Sequence, residues 1–521
     1  MAGVDWEKAL DISQAKKNVE SEFFGDWYND PWGWPELEFL VKHSTKDIVE
    51  HLNGSSSRQV ALLDVPKPNW SYRPAVVVDP LDRLVYQALV DRLSLDLIGR
   101  LPPSVYGWRL PATQPKAGQY SHNNLQWDAY RSHLSEASSL LGAALTTDVV
   151  SCFASIGVDR VCGAVSECCP KGYPVNRLLL MLQSFDMNAP ERTGLVQRST
   201  SSAVLANMFL SVLDDVIDAH AVDLPSIALQ VQTTPRKHPK RSWVRWMDDM
   251  WLFGDDASAM RKAQIELQSA AHSIGLQLNV AKTEVFEGGD VFDRAMNVEH
   301  SAVDGALGQS NKDEKPLEEM IDKILLEPEK ASRTSVKFVV SRMLKHNVKY
   351  KQLEFVKASP RMPHCADDLG RLFAHRFTQD SLGDWFLSQT SSGWLQFEWS
   401  TSFYVLMLDS AVKPRREVVE YVAHLVESAN GSVQLLAACA QRLASWDRTM
   451  ARAAIRAGMA RASDPQHRRI LALASLLTGE SGRQVSSWLR QHAETDLTQR
   501  MLARQHHAPA PVLAKYATAK K

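Results

Sequence analysis

The chain has 521 residues, 45% of them hydrophobic and 23% charged, with a formal net charge of −1. That length excludes one small domain and that composition excludes a disordered chain; roughly two to four globular domains are expected. The near-zero charge excludes a protein that advertises a nucleic-acid partner by overall basicity, so any basic groove must come from uneven charge distribution.

No uninterrupted apolar run of bilayer length and no signal pattern at the N-terminus are apparent, so no membrane partner is expected. The cysteines Cys152, Cys162, Cys168, Cys169, Cys365 and Cys439 form no CxxC pair. Neither a zinc site nor a disulfide framework is expected, and a reducing cytoplasm is the expected location.

Residues 1–60 read as an aromatic-rich arm. Phe24 to Glu36 interleaves Trp27, Tyr28, Trp32 and Trp34 with turn-forming Gly25, Asn29, Pro31, Gly33 and Pro35, and a helix is expected to follow to about His51. Val65 to Val78 reads as two short strands around a turn, with Lys67 and Arg73 near it. Those cations suit either a triphosphate or plain solvation, Lys as a point charge and Arg as a fork. Asp82 to Arg100 has Leu84, Leu89, Leu93 and Leu97 near helical spacing, and the helix must stop before Pro102-Pro103. Residues 112–140 are polar and less informative.

Gly142 to Phe153 reads as a buried strand ending at Asp148, an acid that is costly there unless solvated, paired or bound to a cation. A helix over about 158–168 follows. Gly194 to Ser202 reads as a polar loop capping a long helix whose apolar face includes Val204, Leu205, Met208, Phe209, Val212, Leu213, Val216 and Ile217. After the basic run Arg236 to Arg241, Ser242 to Gly254 sets Asp248 and Asp249 between two apolar runs, which predicts a β-hairpin with the acids at or near its tip. Taken alone, an Asp-Asp pair also fits a solvated turn. Asp255 or Asp256 caps a further helix closing at Gly275, and Leu276 to Phe286 reads as loop and strand. The order strand, helix, helix, hairpin, helix, strand approaches a ferredoxin-like split βαβ sheet. In such a sheet Asp148 and the Asp248-Asp249 pair meet despite their separation in sequence.

Over roughly residues 60–300 these motifs resemble a reverse transcriptase. The Asp148 strand resembles the first palm motif. Gly194 to Leu210 resembles the family's "LPQG…SP…LAN" loop and helix, with Leu205-Ala206-Asn207 matching well. Arg245-Trp246-Met247-Asp248-Asp249 resembles the "Y-x-D-D" box, Leu278 to Thr283 the "L-N-x-x-K-T" motif, and Ser104 to Pro111 the "S-Y-G-F-R-P" segment of bacterial members. The resemblance implies an α+β fold: right-hand polymerase fingers and palm over 61–300, followed by an all-α, repeat-like domain over 301–521. It implies DNA synthesis with two Mg²⁺ ions, or Mn²⁺ in their place, held by Asp148 and Asp248 with Asp249 assisting. Lys67 and Arg73 would bind the dNTP triphosphate, and Phe153 would exclude a ribose 2′-OH. Gln197 would line the nucleotide or template side. Lys282 matches a position proposed to protonate pyrophosphate, although a surface lysine fits the same pattern.

Three positions depart from the family pattern. Arg198 stands where a glycine is usual, Thr and Ser replace the loop's prolines, and Trp246 replaces the box tyrosine. All three acids remain, so template handling is more affected than cation chemistry, and restricted templating is expected.

Beyond residue 301 the composition shifts to Ala, Leu, Arg, Glu and Ser, with short helical segments punctuated by Gly431, Pro465 and Gly479 but no clean repeat period. Arg448, Arg452 and Arg456 lie four apart in a stretch free of acids. They suit a nucleic-acid stripe or a solvated face equally. No HNH, integrase, RNase H, maturase or retron signature is evident. The architecture resembles the bacterial abortive-infection and "unknown group" defence-associated reverse transcriptases. It implies an antiphage DNA polymerase working from a non-coding RNA or without a template, and self-association or a protein partner through the helical domain. Protein priming would have Tyr350, Tyr404, Tyr421 and Tyr516 available. The alternatives are a mobile-element reverse transcriptase and a non-catalytic palm serving as a nucleic-acid-binding scaffold.

Overall fold

The computed structural model describes residues 5–28, 30–54, 60–188, 194–225, 240–308 and 313–504. Two compact units emerge, each assembled from separated stretches of chain. One comprises Met1–Gly25, Ser44–Ser57 and Leu81–Ser301; the other comprises Asp26–His43, Arg58–Pro80 and Ala302–Lys521.

The first unit is built on a five-stranded sheet of order β3-β5-β6-β4-β7: β3 Val105–Tyr106, β4 Ala143–Thr147, β5 Trp243–Trp246, β6 Asp249–Gly254 and β7 Glu284–Glu287. All neighbours are antiparallel except β3 and β5. Strand β4, paired on both sides by β6 and β7, consists of two alanines, a leucine and two threonines and is almost wholly buried. On one face Ala144, Val244 and Phe253 pack with Tyr130, Leu134 and Ala137 of the helix Asn123–Leu140 and with Val291 and Ala295 of the helix Gly289–Met296. The polar character of 112–140 hid the first of these helices, whose inward residues recur at helical spacing among Ser and His. Helix α1, Ala257–Ser273, packs against β4, β6 and β7 and against a longer helix, Thr200–His220.

That longer helix corrects two expectations. Ser201 and Ser202 are not in a capping loop; they lie in its first turn, fully buried, hydrogen-bonded to Gln87 and Tyr86. The N-terminus is capped instead by Glu22, whose Oε1 accepts from the Thr200 amide at 2.5 Å while Oε2 accepts from Arg83 Nε at 2.9 Å. A carboxylate there satisfies an orphan amide and faces the positive end of the helix dipole. The helix is also long and apolar enough to cross a membrane, contrary to the expectation, but 78% of its apolar window is buried inside the protein.

The second unit contains the antiparallel hairpin β1 Ala61–Pro66 and β2 Tyr72–Val77 and the helices of the C-terminal half. Ala366–Arg376, Glu398–Met407, Val433–Trp446 and Pro465–Leu477 each pack on the next, forming one row. Gln379–Ser392, Arg416–Ser428 and Arg448–Arg461 form a second row in the same way. Val433–Trp446 is buried on almost every side, whereas Arg416–Ser428 is amphipathic.

Candidate active site

The three acids gather because of strand register. In the β4–β6 ladder Thr147 pairs with Met250, so one further step brings Asp148 opposite Asp249. In the β4–β7 ladder Thr146 pairs with Glu284; the Thr147 and Thr283 hydroxyls then meet at 2.7 Å, and the next step sets Lys282 Nζ against Asp148 Oδ2. The Asp148 carbonyl accepts from the Asn279 amide at 2.9 Å, holding the end of the strand in place. Asp249 opens β6 and Asp248 sits in the two-residue turn beyond Trp246, where Met247 adopts φ +56°.

Negative charge is crowded at this end of the sheet. Asp148 is buried, and its Oδ1 has no hydrogen-bond partner. Asp248 and Asp249 touch solvent at the mouth yet are surrounded by protein. Loss of bulk water, then repulsion from Asp249 and Asp148, pushes the Asp248 carboxyl up to about 6. Loss of water, then repulsion from Asp148, also raises Asp249, against the pull of Lys282. Burial works against the Lys282 ammonium, but the Asp148 hydrogen bond and the three nearby carboxylates outweigh it and raise its pKa. Among the described residues no three His, Cys, Asp or Glu side chains converge tightly enough to form a cation site unaided. Hard carboxylate oxygens, one of them buried and unpartnered, do suit a divalent ion whose shell is completed by water and phosphate, the arrangement Mg²⁺ favours. The chemistry of the residues therefore fits the implied ion.

The turn is braced by a residue whose role the sequence reading did not assign. Arg245 is fully buried. Its Nε and Nη2 grip the Asp214 carboxylate at 2.6 Å each, and its Nη1 donates to Asn207 Oδ1 and to the Met247 carbonyl, both at 2.9 Å. Asn207 Nδ2 donates in turn to the Gly107 carbonyl at 3.0 Å. A signal was available: one arginine in an apolar strand and one aspartate in an apolar helix each need a partner. Trp246 packs against Trp108, Trp127 and Tyr130, with its ring over the backbone of Gly107.

The other expected residues fall out as follows. Phe153 is half-buried, and its carbonyl accepts from the Leu195 amide at 2.7 Å, tying it to the loop before the long helix. A β-carbon on Gly194 would lie 2.2 Å from that carbonyl, and Gly194 has φ +91°, so this position admits only glycine. Gln197 is buried with its side-chain oxygen unpartnered; Arg198 is exposed and adopts φ +59°. Lys67 and Arg73 lie in the second unit. The Lys67 amide donates to the Ser71 carbonyl at 2.7 Å, and Arg73 and Arg333 lie over the Trp27 ring. Of the arginine stripe, Arg448 is exposed, Arg452 donates to the Thr478 carbonyl and Arg456 pairs with Glu480. Tyr404 is fully buried and Tyr350 donates to Asp322, while Tyr516 and Arg236 to Pro239 lie outside the described residues.

No curated protein matches the chain. A family model described as reverse transcriptase (RNA-dependent DNA polymerase) matches residues 65–352, which span the Asp148 strand, the long helix, the Asp248-Asp249 hairpin and the Lys282 segment. That match covers more than half of the chain and carries an RNA-directed DNA polymerase activity on nucleic acid and dNTPs, with divalent ions typical of the family: the chain belongs to the reverse transcriptase family.

Proposed function

We propose that this reverse transcriptase joins deoxynucleotides at Asp148, Asp248 and Asp249, with Mg²⁺ as the ion, and that it does so in antiphage defence. The observation that carries the first part is the buried, unpartnered Oδ1 of Asp148 beside two carboxylates whose ionisation the fold disfavours. Three such groups cost stability unless a cation joins them. Two divalent ions bound there would between them lower the pKa of the attacking 3′ hydroxyl and neutralise charge on the departing pyrophosphate. Asp148 and Asp248 would hold them, with Asp249 assisting. Lys282, which bonds Asp148, would supply a proton to the departing pyrophosphate. Phe153 would close the space of a ribose 2′-OH, and Gln197 and Arg198 would face the nucleotide or template.

In this reading the sheet and its helices are the palm and the β1–β2 hairpin belongs to the fingers. The two-row helical array of the C-terminal half supports the defence assignment. It is a surface for self-association or for a protein or RNA partner, where a mobile element would carry maturation or integration parts.

The test is to incubate purified protein with Mg²⁺ and dNTPs before and after RNase treatment, with Asp248→Ala/Asp249→Ala as control. DNA made by the parent and not by the control is expected. DNA lost after RNase identifies a bound RNA template, and DNA that needs protease for its recovery identifies a protein primer. Equal synthesis by parent and control would sink the assignment of the acids. In a bacterial host, plaque numbers should fall with the parent and not with the control; equal plating would remove the defence role.

A further inference from the structure

The turn that carries Asp248 is strained. Met247 occupies the left-handed region at φ +56°, where a side chain with a β-carbon is disfavoured. The Asp248 carboxylate accepts a hydrogen bond from its own backbone amide, so the direction of the Met247–Asp248 peptide bears on where that carboxylate points. The other end of that peptide, the Met247 carbonyl, is held by Arg245 Nη1 at 2.9 Å.

Arg245 can do this because its own position is fixed on every side. Its amide donates to the Ser104 carbonyl at 3.0 Å, and β3 pairs with it through Val105. Its fork closes on Asp214 and Asn207 of the helix Thr200–His220, and Asn207 reaches on to the Gly107 carbonyl. Three stretches distant in sequence, Ser104 to Pro111, Asn207 to Asp214, and the hairpin, therefore meet at one buried guanidinium. A planar fork with five donors can satisfy all these acceptors together, which an ammonium cannot.

We propose that Arg245 is the positioning residue of the site: through the Met247 carbonyl it locks the turn that aims the Asp248 carboxylate. The proposal rests on the reading of Asp248 as a cation ligand. It predicts that Arg245→Lys, which keeps a cation beside Asp214 but cannot span to Asn207 and Met247 together, loosens ion binding in a folded protein.

The experiment titrates Mn²⁺ into the purified full chain by electron paramagnetic resonance, alongside kcat, KM for dNTP and thermal melting. Arg245→Lys is expected to weaken Mn²⁺ binding by about tenfold and to lower kcat by at least as much, with KM for dNTP little changed. Val244→Ala, on the same strand but facing the opposite hydrophobic cluster, supplies a comparison of reduced stability and should retain the parental Mn²⁺ affinity. Parental affinity and kcat in Arg245→Lys, with Asp248→Ala inactive and unable to bind, overturn the proposal alone. An Asp248→Ala protein that binds Mn²⁺ like the parent overturns the functional reading and the proposal together. Should Arg245→Lys not fold, Asn207→Ala decides, since it removes one anchor of the same fork: weakened Mn²⁺ binding supports the hold on the turn, and unchanged binding overturns it.

Discussion

Asp248 carries a charge that its surroundings oppose. Its folded pKa, about 6, stands above the ordinary carboxylate value because burial and two neighbouring acids oppose its charge. The folded chain therefore binds more protons at this group than the unfolded chain does. Stability contributed here is greatest below the unfolded pKa and is lost as pH rises through the window ending near 6. Asp248→Asn is therefore expected to raise the melting temperature of ion-free protein at pH 7, by about 1 kcal/mol or roughly 2–4 °C in a body of this size, while abolishing synthesis. The gap between variant and parent should shrink at pH 4, and Mg²⁺ should narrow it at pH 7 by stabilising the parent alone. A variant less stable than the parent at pH 7 without Mg²⁺ would show that the fold does not resist this charge. The acids were legible in the sequence because each sits at a local landmark, a strand end or a hairpin tip. Arg245 and Asp214 were not read as a pair because no local pattern links them: one is in a strand and one in a helix, separated by the basic run, and only tertiary packing brings them together.

Elements carry the second set of lessons, and the loop before the long helix is the most telling. The family's usual glycine after Gln197 has a physical reason, since the backbone there is left-handed at φ +59°, and this chain meets it with Arg198. Arg83 Nη2 donates to the Arg198 carbonyl at 3.5 Å and Glu22 caps the next turn, so two other helices, Pro80–Ile98 and Ile12–Glu22, help to hold the loop's shape. Relief of the left-handed strain and the greater entropy of unfolded glycine oppose each other, so Arg198→Gly should alter stability by less than about 1 kcal/mol. The same change should alter the sequence or template dependence of the DNA product, read by sequencing. Unchanged products from a protein of unchanged stability would remove Arg198 from the template path. The helix itself was legible from its apolar spacing. Its cap was not, because Glu22 is remote in sequence, and Ser201 and Ser202 look like capping residues until the fold buries them. The arginine stripe taught the same lesson: the gap without acids is real along the chain, but Glu480 fills it from the next helix pair.

At the scale of the whole molecule, chain order is a poor guide to what folds together. The helical rows recur at intervals of roughly 33 residues, within the range of helix-pair repeats, but without a shared sequence signature to betray them. Their unit also takes in Asp26–His43, part of the stretch that reads from the sequence as an aromatic-rich N-terminal arm. The reason is one buried charge network. Arg469 donates to Glu36 Oε1 and Oε2 at 2.7 and 2.9 Å and to Asp30 Oδ1 and Oδ2 at 2.9 and 3.2 Å, and its guanidinium lies 4.3 Å from the Trp34 ring centroid. Thr498 completes it with a hydroxyl to Glu36 at 2.8 Å. All three charged side chains are almost fully buried, so the network was paid for in desolvation and its removal in part should be severe. Arg469→Met, which leaves two buried carboxylates without their cation, is expected to destabilise the second unit by about 3–5 kcal/mol in urea unfolding. Replacing all three together, as Arg469→Met with Asp30→Leu and Glu36→Leu, should recover most of that loss, because an apolar set of similar volume avoids desolvating any charge. If the single and triple variants unfold alike, the stretch is held by its tryptophans instead, through contacts such as the Trp399 indole to the Trp27 carbonyl at 3.1 Å.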